Sequence, residues 1–153
     1  MGNVLNPDFQ EFILELNTCK VKYVLVGGYA VIYHGYNRTT GDLDIYVERS
    51  IENYNLLCKA FKNFGLALFD MTEENFLDES TFEVFTFGNP PVSIDIITSL
   101  KGVLFSQALA LSQIGTIDNI SVRVLHKNGL IEAKTKSGRA KDLADIEMLN
   151  ESE

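Results

Sequence analysis

The chain has 153 residues, a net charge of −8 and 46% hydrophobic residues. Length and apolar content suit one domain, 1–153, with a substantial core. They exclude a membrane-spanning helix, since no apolar run nears the roughly 18 residues such a helix needs. The acidic charge disfavours a broad nucleic-acid-binding surface.

Residues 7–17 predict a helix. Pro7 suits its first turn, and Phe9, Phe12, Ile13 and Leu16 recur at i, i+3, i+4 and i+7 to give one apolar face. Residues 22–26 predict a short buried strand, broken by Gly27-Gly28, after which a helix starts over 29–35. A polar loop, 36–41, leads into the alternating segment 42–47, a strand. Ser50 caps a helix over about 51–64, and Gly65 ends it. Residues 66–69 suit a strand, whereas 73–78 are ambiguous. Strands over 82–87 and 92–97 flank a Gly-Asn-Pro-Pro turn. A helix is expected at about 101–108, strands near 109–113 and 120–125, and a pair of helices over 127–149, broken at Ser137-Gly138. Helices are mixed with strands, several of which follow one another directly. That order predicts an α+β fold, a mixed sheet with helices packed against it.

The first residues show no basic region followed by an apolar core, so no secretory signal is expected. They also lack the Ser or Thr of a myristoylation pattern. A cytoplasmic protein with no membrane partner is the expectation. Cys19 and Cys58 form no CxxC pair, which predicts two buried thiols rather than a zinc site.

Three pieces carry candidate chemistry. Gly27-Gly28 stands between a strand and a helix, where absent side chains let the backbone approach a bulky ligand. The N–H groups of the new helix would then face an anion. A plain tight turn is the competing explanation. In Asp42-Leu43-Asp44 the two carboxylates sit at i and i+2 of a strand and project to one face. Like charges side by side are unfavourable unless a cation lies between them, and magnesium favours carboxylate oxygens, water and phosphate. Two surface aspartates on a solvated edge strand are the alternative. Asp95 interrupts the apolar run Val92-Ser93-Ile94-Asp95-Ile96-Ile97 and shares a face with Ser93. It belongs to a site or to the solvent face of an amphipathic strand.

Together these pieces resemble a known signature. Val26-Gly27-Gly28, thirteen intervening residues and Asp42-Leu43-Asp44-Ile45 look like the motif of the nucleotidyltransferase superfamily typified by DNA polymerase beta. Asp95 matches the third acid of that family, on a later strand. The run Lys134 to Asp145, K-T-K-S-G-R-A-K-D-L-A-D, resembles the tail of minimal bacterial nucleotidyltransferases, some of them toxins of abortive-infection systems. The resemblance implies that Asp42, Asp44 and Asp95 hold two Mg2+ ions. Asp95 would also help deprotonate an acceptor hydroxyl, and Gly27 and Gly28 would lie beside the β/γ-phosphates of a nucleoside triphosphate. A nucleoside monophosphate would pass to a tRNA, a protein or a small molecule, with release of pyrophosphate. A toxin role and an antitoxin partner follow from the resemblance alone.

Arg38, Thr39 and Thr40 precede Asp42, where Arg38 or Thr40 could touch the triphosphate or acceptor, or the turn could merely brace Asp42. Lys134, Arg139 and Lys141 are candidates for phosphate or base contacts, or form a solvated basic face. His34 is expected to pack or to hydrogen-bond, and His126 to cap or to lie on the surface. No Ser–His–Asp or Cys–His set is convincing, and neither the Rossmann nor the Walker A pattern is met. The alternative function is a nucleotide-binding module of the same fold that works with a partner protein and lacks catalysis of its own.

Overall fold

The computed structural model describes residues 3–35, 40–89, 92–127, 129 and 135. In chain order the elements are α1 (Pro7–Thr18), β1 (Tyr23–Val26), α2 (Gly27–Tyr33), β2 (Leu43–Val47), α3 (Ile51–Phe64), α4 (Glu73–Leu77), β3 (Val84–Asn89), β4 (Val92–Ile97), α5 (Phe105–Ala110), β5 (Ser112–Ile117) and β6 (Ile120–Leu125). The strands form one mixed sheet in the order β3-β4-β2-β1-β6-β5. β4 runs parallel to β2, and β1 parallel to β6. The pairs β3–β4, β1–β2 and β5–β6 are antiparallel.

Local chemistry sets the helix ends. Asn6 accepts a hydrogen bond from Phe9 N–H, with Pro7 next to it, and so starts α1. Ser50 caps α3 by accepting from Asn53 N–H, and Gly65, at φ 91°, closes it. The predicted apolar face of α1, Phe9, Phe12, Ile13 and Leu16, is buried. Phe12 meets Phe61 and Phe64 of α3 edge-on at 5.5 and 5.4 Å. Phe61 in turn meets Phe87 of β3 at 4.9 Å. Phe87 pairs with Ile94, and Ile94 with Leu43, so α3 covers the sheet face made by these residues. Burying each such side chain contributes about 1.5–3 kcal/mol. The buried amide of Asn53 ties α3 to the sheet, accepting from Lys22 N–H and donating to the carbonyls of Lys22 and Glu48.

Alternation sends the remaining residues of β2 and β4 to the opposite face. There Tyr46 meets Phe105 of α5 edge-on at 5.3 Å and donates its hydroxyl to the Val103 carbonyl. This second face carries the acids.

Several expectations shift. Residues 66–69 are not a strand: Phe69 takes φ 47°, a left-handed conformation that cannot continue a ladder, and Met71 N–H closes a turn on the Leu68 carbonyl. The ambiguous segment 73–78 holds α4, capped by Thr72. The helix expected at 101–108 is displaced to Phe105–Ala110, where the Gln107 side chain accepts from Leu104 N–H, and this moves the following strand to Ser112–Ile117. The helix pair over 127–149 lies outside the described residues apart from single positions. Among the described residues no helix is long and apolar enough to cross a membrane.

Candidate active site

Strand pairing places the acids on one face of the sheet. In the antiparallel pair β1–β2, Val26 lies opposite Asp44, so the diglycine that follows Val26 arrives beside that carboxylate. In the parallel pair β2–β4, Asp44 is the direct partner of Asp95, and directly paired residues share a face. Asp42 and Ser93 lie two residues before them, on the same side. Ser93, only 2% exposed, donates its hydroxyl to Asp42 Oδ1 at 2.8 Å. Asp42, Asp44 and Asp95 are all half-buried.

The two glycines have separate reasons to be there. Gly27 adopts φ 70°, which a side chain resists, and a Cβ on it would overlap the Asp44 carboxylate. A Cβ on Gly28 would overlap the Thr40 side chain. The sequence suggested space for a ligand at this junction. In the structure that space is taken by the protein's own Asp44 and Thr40 side chains. Thr40 is half-buried beside Gly28. Arg38, Lys134, Arg139 and Lys141 lie outside the described residues.

Two neighbours escaped the sequence reading of roles. Ser93 holds Asp42, and its position two residues before Asp95 was the available signal. Tyr29 points its hydroxyl toward the Thr40 carbonyl at 3.4 Å. Burial, and then the Asp42 charge, push that hydroxyl above its ordinary pKa. Helical spacing alone could not reveal that Tyr29 of α2 would feel the charge of Asp42, just before β2.

The donor set suits magnesium in kind, being carboxylate oxygens from two adjacent strands with one acid already oriented by a buried hydroxyl. Among the described residues, however, no three His, Cys, Asp or Glu side chains close into a ready-made metal cluster. The acids share a face and a register rather than a finished cage.

His34 plays the hydrogen-bonding part expected of it, with Nε2 2.8 Å from the Leu125 carbonyl. Burial lowers its pKa, the carbonyl opposes that, and His126 and Lys127 add to the lowering. His126 is exposed. Both cysteines are free; Cys19 is buried and Cys58 only partly so.

No protein family's profile matches the chain, and no curated protein matches it in sequence. Among solved structures it is similar to that of a candidate nucleotidyltransferase from Thermotoga maritima, with 14% identity over 97% of each chain and a TM-score of 0.58. At that identity the likeness is one of architecture. The six-stranded mixed sheet with packed helices is an α+β fold shared with that nucleotidyltransferase candidate.

Proposed function

We propose that the chain is a metal-dependent nucleotidyltransferase that moves a nucleoside monophosphate from a nucleoside triphosphate to a hydroxyl acceptor. The observation that carries this reading is the pairing of Asp44 with Asp95 across β2 and β4, with Asp42 held on the same face by Ser93. Asp42, Asp44 and Asp95 would hold the magnesium. Two such ions, when bound, supply neutralisation of charge on the attacking and leaving oxygens. The chain's own groups then have three tasks. Gly27 and Gly28 keep the backbone low beside the triphosphate. Asp42 and Asp44 would present carboxylate oxygens to the metal. Asp95 accepts the proton of the acceptor hydroxyl while its oxygen bonds to the α-phosphorus and the bond to pyrophosphate breaks.

A second reading keeps the same fold as a nucleotide-binding module that works with a partner protein and lacks catalysis of its own. The two readings separate in one experiment. The full chain is incubated with each labelled nucleoside triphosphate and a cell extract, with and without magnesium, and pyrophosphate release is measured. The label is then located on RNA, protein or small molecules. Magnesium-dependent release that disappears in Asp44→Asn, with the fold retained, supports the enzyme. Metal-independent nucleotide binding without pyrophosphate release supports the module.

A further inference from the structure

A groove unrelated to the acids lies at the other end of β1. Its cavity of about 450 Å3 is lined by the end of α1, the start of β1, β6 and the β5–α5 side, with Lys20, Lys22 and Arg123 in its wall. Among the described residues no Asp or Glu lines it, although the chain as a whole carries a charge of −8. It stands roughly 16 Å from Gly27, at about 3.3 Å per residue along the strand.

Lys20 is the informative residue. Its amide bonds to the Asn17 carbonyl, and Val21 N–H bonds back to Leu16, the pattern that closes a helix with a left-handed residue. Lys20 takes φ 60° in that position, where glycine or asparagine is the unstrained choice. A helix C-terminus favours a cation, yet a lysine elsewhere in the last turn would supply that without the strain. α1 has no basic residue in its last turn, so the positive charge is placed at the groove's lip instead. Arg123 is held from the opposite wall, its Nη1 donating to Ser112 Oγ at 3.0 Å. Lys22 keeps a loose pairing with Glu48 at 3.7 Å, with its side chain 60% exposed.

We infer that this groove binds a phosphate-bearing ligand, and that it does so independently of the acidic site. Phosphate rather than carboxylate is favoured by the donor type. Arg123 is partly engaged by Ser112 and does not offer a whole fork to a carboxylate, whereas two lysines act as point charges for a multiply charged group. The phosphate could belong to a free phosphorylated molecule or to a nucleic-acid backbone.

The test titrates isotope-labelled full chain, without divalent metal, with pyrophosphate and separately with a short single-stranded RNA, following amide chemical shifts. Saturable shifts at Lys20, Lys22, Ile114 and Arg123 are expected. Kd should rise at least about tenfold in the double variant Lys20→Gly, Arg123→Gln, the loss of roughly one good ionic contact. Lys20→Gly removes the charge while suiting the left-handed backbone, so Tm of that single variant should hold or rise. This separates lost binding from lost folding. Tighter binding of RNA assigns the site to a backbone phosphate, and tighter binding of pyrophosphate to a free molecule; either supports the site. Shifts confined to the surroundings of Gly27, no shifts at all, or an unchanged Kd in the double variant would overturn it.

Discussion

Replacing Gly27 with alanine tests the site's geometry most directly. Gly27 sits at φ 70°, where an L-residue costs about 1–2 kcal/mol. The new Cβ would also occupy the position of the Asp44 carboxylate, and driving that side chain off its rotamer adds about 0.5–1.5 kcal/mol. The sum is about 1.5–3.5 kcal/mol. At about 2–4 °C per kcal/mol for a chain near this size, Tm should fall by about 3–14 °C. Activity should fall further than stability does, because the displaced carboxylate is the partner of Asp95. Thermal melts by circular dichroism and pyrophosphate release, assayed well below Tm, read the two effects separately. A double-mutant cycle with Asp44→Gly isolates the collision: in that background Gly27→Ala should cost only the backbone penalty. Wild-type Tm together with wild-type pyrophosphate release in Gly27→Ala would refute the reasoning.

Other substitutions probe neighbouring links. Ser93→Ala removes the hydroxyl that orients Asp42 and should weaken magnesium dependence about 10- to 100-fold, as loss of a ligand's supporting hydrogen bond does; manganese binding followed by electron paramagnetic resonance gives the same answer without turnover, and unchanged affinity would remove Ser93 from the site. Asp95→Asn should slow the chemical step more than it weakens nucleotide binding, which single-turnover kinetics resolve; poor binding with normal turnover would contradict the role given to Asp95. His34 has a folded-state pKa below its ordinary value, chiefly from burial. The native state therefore binds fewer protons than the unfolded chain, and His34 adds stability above the unfolded pKa of about 6.5 that is lost as pH falls through the folded value. His34→Gln should flatten the fall in denaturant midpoint between about pH 7 and pH 5, and an unaltered slope would assign it to other groups.

Much of this molecule follows from short-range chemistry that a reader of residues can apply. The apolar spacing of Phe9, Phe12, Ile13 and Leu16 and the caps at Asn6, Ser50 and Gly65 act within a few residues, and so α1 and α3 stand where their patterns place them. Alternation likewise gave Asp42 and Asp44 a common side, and separated Asp95 from its apolar neighbours. Where the apolar pattern is weak, local caps and turns that the pattern does not display decide, as at Thr72 for α4, Gln107 for the displaced α5 and the turn at Phe69.

The site itself was only half legible. Residue spacing determines which face of its own strand an acid takes, but it says nothing about which strands become neighbours. Only the pairing of β2 with β4 makes Asp44 the partner of Asp95 and brings the Ser93 hydroxyl onto Asp42. Only the return of β2 along β1 makes Gly27 yield its space to Asp44. The same holds for the basic groove, where Lys20 and Arg123 are far apart in the chain and meet at one cavity. Side-chain periodicity is a property of each segment, whereas strand order and register depend on how the whole core is buried, and that is decided in three dimensions.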